Sequence, residues 1–220
     1  MLTFKSTFIQ ATIIALTFSL YGCADAPNPL TGLTPIPRAV TVNAGEVAVV
    51  IAAPPGFCVD RATIDENPRG AFMFLSDCHT NSSTGQVART PISAILTASI
   101  SPTGMVGRES GVKPALSALG AFLASPVGLF SMGKSNVDRA VKILKAKQSD
   151  VALYLLVQDS AFQDDAGASN RYWRAFSEIN GRLVALSVTG YTKNDPDEAR
   201  ALLIIRAFMQ QILDANANAA

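Results

Sequence analysis

The chain has 220 residues, of which 49% are hydrophobic and 16% are charged, and its formal net charge is +1. Its 18 basic residues nearly balance its 17 acidic residues, and no run of Lys or Arg reaches the size of a nucleic-acid patch. Nucleic acid is therefore excluded as an expected partner. A chain of this length can bury a core of its own, and the length alone does not require a second domain.

A basic start and an apolar segment open the chain. Lys5 precedes residues 8–20, which are mostly apolar and hold no charged side chain. A segment of about 13 residues is too short to cross the ~30 Å hydrocarbon core of a membrane as a helix, because that takes roughly 20 residues. We therefore predict a cleaved signal peptide over residues 1–22.

The apolar segment ends in Leu20-Tyr21-Gly22-Cys23. This motif resembles the lipobox of bacterial lipoproteins, although Tyr21 stands where a small residue is usual. The resemblance implies that diacylglycerol alkylates the Cys23 thiol and anchors the chain to a membrane that it does not span. Ala24 replaces the acid that retains enterobacterial lipoproteins in the inner membrane, which implies an outer-membrane location facing the periplasm. A conventional secretory signal that happens to contain a cysteine is the alternative.

Prolines dominate the segment after this cysteine. Pro27, Pro29, Pro35 and Pro37 lie among Asn, Thr and Gly residues. Proline at this density favours extended, solvated backbone and disfavours a helix or a central strand. Residues 23–44 are therefore predicted to be a lipidated cysteine and its tether, and residues 45–215 to form a single domain.

The cysteines predict a disulfide in that domain. With Cys23 assigned to lipid, Cys58 and Cys78 remain of the 3 cysteines in the chain. An even pair in an exported chain favours a disulfide, which would stabilise the fold by ~3 kcal/mol. The alternative is a metal site that uses both cysteines and His79. It is disfavoured because neighbouring residues of a strand point to opposite faces.

The first half of the domain predicts strands followed by an apolar helical segment. Turn residues and apolar runs predict strands at 47–53, 57–60, 71–75 and 92–100. Residues 114–123 predict a helix, and Ser125-Pro126 begins a second, short one. The apolar stretch 115–132 is interpreted as helix packed on the sheet, with a lid or membrane-touching element as the alternative.

The second half predicts two hairpins and a closing helix. Residues 140–145 and 151–157 are strands around a turn, and 172–179 and 182–191 flank Asn180-Gly181, a strong hairpin signal. Asp195-Pro196 opens a C-terminal helix of about 20 residues with an apolar stripe. The tail, residues 216–220, is predicted to be frayed.

These elements predict an α+β fold, in which helices cover an antiparallel sheet and a closing β-hairpin leads into a C-terminal helix. The order over residues 45–215, and the segment 173–188 in particular, resembles the PsbP-like superfamily of α/β/α domains. Members of that superfamily generally act as accessory subunits of membrane assemblies. The resemblance therefore implies an accessory or assembly role for this chain.

No sequence motif for catalysis, metal or cofactor binding is found. The chain lacks Gly-x-Ser-x-Gly, His-Glu-x-x-His, Walker and Gly-x-Gly-x-x-Gly motifs. Catalytic residues, metal ligands and cofactors are therefore predicted to be absent. Two acidic clusters keep an alternative open, an envelope hydrolase that uses loop carboxylates. The clusters are Asp60, Asp65 and Glu66, and Asp159, Asp164 and Asp165.

Tyr172, Trp173 and Arg174 mark a possible binding surface. The single tryptophan of the chain lies between Arg171 and Arg174 and could line a ligand or partner surface. Core packing beside the terminal helix is the alternative for the aromatic side chains. The sequence as a whole favours a non-catalytic envelope lipoprotein, a lipid-anchored module that binds an unknown envelope protein or small ligand.

Overall fold

The structure, a computed structural model, describes residues 37–78, 94–133, 140–162, 167–191 and 195–217. All of them belong to one unit, Ile36–Ala220. The predicted signal peptide, Cys23 and most of the predicted tether lie outside the described residues. So do His79, Asp164 and Asp165.

Ten strands and three helices make up the described part of the chain. The strands are β1 (Ala39–Ala44), β2 (Val47–Ala52), β3 (Phe57–Val59), β4 (Asp65–Asn67), β5 (Gly70–Asp77), β6 (Ala94–Ile100), β7 (Val141–Gln148), β8 (Leu153–Asp159), β9 (Ala168–Ile179) and β10 (Arg182–Tyr191). The helices are α1 (Val112–Leu123), α2 (Pro126–Met132) and α3 (Glu198–Ala217).

The strands form two antiparallel sheets. Strands β1 and β2 pair as a hairpin, and the other strands form an 8-stranded sheet in the order β3-β5-β6-β10-β9-β8-β7, with β4 paired to β5. Every pairing in the large sheet is antiparallel. The predicted α+β class is confirmed, including the closing hairpin that leads into the C-terminal helix.

The Asn-Gly turn fixes the central hairpin. Asn180 and Gly181 both have positive φ, 50° and 71°, as a type I′ turn requires. Ile179 consequently pairs with Arg182, and the register continues to Trp173 opposite Val188. Because side chains alternate along a strand, this register decides which residues of β9 and β10 share a face.

The large sheet is buried on both faces against different elements. One face, the α3 face, packs with α3 and the β1–β2 hairpin around Trp173, Leu156 and Phe208. The other face, the α1 face, packs with α1 and α2 around Tyr172 and Leu155. The sheet is therefore the middle layer of three, and its central strands are apolar on both parities because both faces need cover.

Helices α1 and α2 cover the α1 face of the sheet. Ser125 caps α2 by accepting a hydrogen bond from Gly128 N at 3.2 Å, as predicted. No single described helix is long and apolar enough to cross a membrane, and only the α1–α2 pair together passes on length and composition, bent by 90°. The pair packs on the sheet through Leu116 and Met132, as the sequence predicted, and leaves Phe122 50% and Phe130 48% exposed.

The boundaries of the fold differ from the predicted ones at both ends. Strand β1 lies within residues 23–44, the predicted tether, and it buries Val42 and Ala44 against the core. The prolines of the predicted tether end at Pro37, before β1 begins. At the other end, α3 runs to Ala217, so the predicted frayed tail begins too early: Asn216 is 5% exposed and hydrogen-bonds to the backbone of Val50.

Candidate functional site

The predicted disulfide is present. Cys58 on β3 is bonded to Cys78 just after β5, with their Cα atoms 5.0 Å apart. Both sulfur atoms are used by this bond, so the alternative metal site built on the two thiols is wrong. Antiparallel pairing of Cys58 with Ser76 brings the two cysteines together, a long-range register that the sequence spacing alone does not fix.

The predicted binding surface of Tyr172, Trp173 and Arg174 is not one surface. Tyr172 and Trp173 are buried, 2% and 1% exposed, and they lie on opposite faces of the sheet. The indole packs in the α3 face and its Nε1 donates to Glu198 O at 3.3 Å. Core packing beside the terminal helix, the alternative for the aromatic residues, is therefore what the structure has for Trp173, whereas Tyr172 is core on the α1 face.

Tyr172 is hydrogen-bonded to the helical layer that covers the α1 face. Its hydroxyl donates to Met132 O at 3.0 Å, which links β9 to the end of α2. Burial raises the pKa of Tyr172 to about 12, so the phenol is neutral at physiological pH. A neutral, hydrogen-bonded phenol in a core is a packing element rather than a general base.

Of the three predicted surface residues, Arg174 has a buried side-chain nitrogen without a hydrogen-bond partner. It lies on the α1 face, half-buried, and its Nε is fully buried with no hydrogen-bond partner. Its guanidinium lies 5.7 Å from the centroid of the Tyr172 ring. Among the residues that the structure describes, no carboxylate pairs with it. Burial lowers the pKa of Arg174, but an arginine stays charged at neutral pH.

A row of side chains extends from Arg174 across the sheet. Register places Leu155 on β8 and Ser187 on β10 opposite Arg174. Beyond Ser187 come Thr97 on β6 and Phe74 on β5. We call these five residues the Arg174 row. All five share the α1 face because directly opposed residues of an antiparallel sheet point the same way.

The row changes from buried to exposed along its length. Leu155 is 1% exposed and lies under α1 and α2, Ser187 is 6% exposed, and Phe74 is 39% exposed. Thr97 Oγ1 and Ser187 Oγ are hydrogen-bonded at 2.6 Å. At the open end Phe74 meets Phe72 edge to face, with ring centroids 5.0 Å apart. The row thus combines a cation, two hydroxyls and the ring of Phe74, which contacts Phe72 of the neighbouring row.

A small cavity lies on the opposite side, at the beginning of α3. Its volume is ≈ 240 Å³, and it is lined by Trp173, Val188, Glu198 and their neighbours. The Glu198 carboxylate is already paired, with Lys145 and with Arg171 at 3.6 Å. These three charges offset one another, and Asp197, which also lines the cavity, accepts from Arg200 N at 2.7 Å.

The described members of the acidic clusters have structural partners. Asp60 accepts from Ala62 N at 3.0 Å, and Glu66 accepts from Asn43 N at 3.0 Å. Asp159, predicted to be a loop acid, is 0% exposed at the end of β8 and accepts from Ala161 N at 3.2 Å. Within the described ranges no group of three or more His, Cys, Asp or Glu side chains could hold a metal ion.

Sequence reasoning named Arg174 but missed Ser187 and Thr97. Polar residues at these positions interrupt otherwise apolar strands, and their parity matches the face of Arg174 once the hairpin register is known. The Asn-Gly turn supplies the register of β9 and β10. The pairing of β10 with β6 joins residues about 90 positions apart, and no local signal predicts it.

Comparison with known proteins assigns no family to this geometry. No protein-family model matches the sequence, and no curated protein matches it. The likenesses to bacterial lipoproteins and to PsbP-like domains stay predictions from the sequence. Function is therefore argued from the residues of this chain.

Proposed function

We propose that this protein is a lipid-anchored envelope protein, held to a membrane through Cys23, whose α+β domain is a non-catalytic binding or accessory module. The observation that carries the proposal is the disulfide between Cys58 and Cys78. Disulfides form and persist in exported, oxidising compartments, which is where a chain with a signal peptide is delivered. The disulfide also leaves Cys23 as the remaining cysteine, at the end of the apolar leader.

The lipid would hold the domain near the bilayer. Each buried CH₂ group contributes ~0.8 kcal/mol to membrane binding, so two or three acyl chains give stable attachment. Residues 24–36 separate the lipidated cysteine from the fold, and an extended, proline-rich segment of that length reaches about 40 Å at ~3.1 Å per residue. The domain would thus stay within reach of envelope partners at the outer membrane, facing the periplasm.

The half-buried Arg174 supports a binding role. A buried charge without a partner costs free energy, and a protein retains such a group where something else benefits from it. An envelope protein or a small ligand with a negative charge would pair with this guanidinium on binding. The resemblance to PsbP-like accessory subunits points in the same direction.

The alternative of an envelope hydrolase gains no support from the described carboxylates. Asp60 and Glu66 hold backbone amides, and Asp159 is buried within the fold. Asp65 and Glu66 are exposed, but Glu66 accepts from Asn43 N and Asp65 accepts from Asn67 Nδ2 at 3.2 Å, so both carboxylates have partners within the fold. The binding module is the function we retain.

Acylation of Cys23 tests the anchoring. Cells that express the wild-type chain or Cys23→Ser are grown with labelled palmitate, and the purified proteins are compared for label and for partition into detergent. We expect label and detergent partition only in the wild type. A matched control, Cys58→Ser with Cys78→Ser, removes two other thiols and should keep its label. Label that persists in Cys23→Ser would overturn the proposal.

A further inference from the structure

We propose that the Arg174 row binds the carboxylate of a small amphiphile, a monocarboxylate with an apolar body. The inference rests on the proposed function, since it names the ligand class of that binding module. It starts from the guanidinium, whose buried Nε has no hydrogen-bond partner. Among the described residues, the Arg174 side chain makes one polar contact, the cation–π contact with Tyr172.

A carboxylate is the group that this geometry completes. The Nε–H and one Nη–H of a guanidinium lie parallel and match the two oxygens of a carboxylate, so both bonds form at once. Such a ligand would satisfy the buried Nε and neutralise the charge in one step. The Tyr172 ring against the guanidinium restricts the motion of the fork, which reduces the entropy lost on binding.

The number of charges favours a carboxylate over a phosphate. Arg174 is the only charged residue of its row, and the flanking rows hold Tyr172, Thr189 and Ile95 on one side and Phe176, Ala185, Ser99 and Phe72 on the other. None of these residues is charged. A singly charged anion is therefore matched by the site, whereas a phosphate with up to two charges would be left partly uncompensated.

The hydroxyl pair offers a further donor. Ser187 lies directly opposite Arg174, and its Oγ is 2.6 Å from Thr97 Oγ1. That hydrogen bond uses one of the two hydroxyl hydrogens, and the other has no acceptor among the described residues. It can therefore donate to a carboxylate oxygen held by Arg174.

The apolar body would lie towards the open end of the row. Ala185, in the row next to Ser187, is partly buried, and Phe74 and Phe72 form the aromatic pair at the far strand. From Arg174 to Phe74 the row crosses three strand spacings, about 14 Å. An amphiphile that reaches the phenylalanines would cover the 39% of Phe74 that is exposed.

Calorimetric titration of the full chain with decanoate tests the proposal. The chain carries Cys23→Ser, so that no acyl group of its own competes for the site. We expect saturable binding of decanoate and no saturable binding of decanol, which lacks the charge, or of inorganic phosphate, which lacks the apolar body. Absence of decanoate binding, or equal binding of decanol, would overturn the proposal, and so would phosphate binding that depends on Arg174.

Matched arginine variants locate the site. Arg174→Met should weaken decanoate binding about tenfold or more, because the carboxylate loses its counter-charge. Arg206→Met is the control: that guanidinium also lies 5.7 Å from a tyrosine ring centroid, that of Tyr154, but it is exposed on α3. It should bind like the parent chain. Equal affinity of Arg174→Met and the parent would contradict the assignment.

Two further readouts separate a ligand contact from a structural role. Arg174→Lys keeps the charge but loses the fork, and it should bind with an affinity between those of the parent and Arg174→Met. Without ligand, Arg174→Met should unfold at the same temperature as the parent or higher, because it loses an unpaired buried charge. A large drop in the unfolding temperature, with decanoate binding lost in Arg174→Lys as well, would mean that Arg174 only maintains the fold.

The two proposals fail in different ways. If Cys23 is acylated but the chain does not bind decanoate, only the carboxylate site is wrong. If decanoate binds in an Arg174-dependent manner while Cys23 carries no acyl group, the anchor is wrong and the carboxylate site stands.

Discussion

At the scale of single residues, the core of the large sheet contains polar side chains whose protonation matters for stability. Tyr172 lies between β9 and α2, and its hydroxyl donates to Met132 O. Burial raises its pKa from 10.0 to about 12. The folded state therefore holds the phenol proton more tightly than the unfolded state does.

This pKa gives a prediction about alkaline stability. The contribution of Tyr172 is fully present below pH 10.0, where the phenol is protonated in both states, and it is lost as the pH rises towards about 12. Free energies of unfolding in urea should show this loss in the wild type, and Tyr172→Phe should lack this part of the pH dependence. Equal slopes for the two proteins above pH 10.0 would contradict the assignment.

Individual residues also limit what the sequence could predict. The Asn-Gly turn and the cysteine pair carry their own conformational or chemical meaning, and both predictions are confirmed. Asp159 carries no such local signal. An acid at the end of an apolar strand is predicted to be a loop residue, and only the packing of the surrounding layers shows that it is buried. The surroundings of Arg174 likewise include residues of β10 and β6 that are distant in the chain.

At the scale of elements, one side-chain amide hydrogen-bonds α3 to the small sheet, in addition to the apolar packing between them. Asn216 accepts from Val50 N at 2.9 Å and donates to Val50 O at 2.8 Å, so it satisfies one residue of β2 completely. Asn180 in the hairpin turn also donates to Asn216 Oδ1, at 3.2 Å. The last turn of the helix thus connects β2 and the β9–β10 turn.

Asn216→Ala should accordingly destabilise the fold by about 2 kcal/mol, because it leaves the Val50 amide and carbonyl without partners. Urea unfolding measures the change. Gln210→Ala is the matched control on the same helix, since its amide donates only to Asp214 at the surface and its loss should cost less than about 0.5 kcal/mol. Equal losses for the two variants would show that the Val50 contact contributes nothing.

The elements that the sequence predicted best are those with local start and stop signals. Ser125 and Pro126 open α2, as predicted. Helix α3 begins at Glu198, three residues after the predicted start at Asp195, and it is Asp197 that accepts from the first turn, from Arg200 N at 2.7 Å. Strand β4, predicted to be part of a polar loop, forms only because β5 offers a partner, and its three residues carry no strand signal of their own. Pairing across the sheet, and not local propensity, decides such short strands.

At the scale of the whole molecule, the disulfide connects the edge strand β3 to β5. Cys58 is 4% exposed, and Cys78 is partly exposed. Closing a loop of about 20 residues is worth about 3 kcal/mol. The same bond supports the proposed compartment, because it would be reduced in a cytosol.

Removal of this bond should lower stability by about 3 kcal/mol. Cys58→Ser with Cys78→Ser and the wild type treated with reductant should both unfold at lower urea concentration, by similar amounts. Cys23→Ser should match the oxidised wild type. If reduction leaves the unfolding midpoint of the wild type unchanged, the bond contributes nothing to the fold.

The layered architecture was predictable because strands that are apolar on both faces need cover on both sides, and the apolar stripe of α3 can supply it on one. The predicted limits of the domain were not, since β1 lies in the segment read as tether. The structure therefore moves the start of the fold from residue 45 to the hairpin of β1 and β2.

Intact-mass spectrometry of the protein isolated from membranes tests the proposal that Cys23 anchors this domain to the envelope. We predict a mature chain that begins at Cys23, lacks residues 1–22 and carries the added mass of diacylglycerol on that cysteine. A chain that retains residues 1–22, or that begins at another residue and carries no acyl mass, would contradict the account.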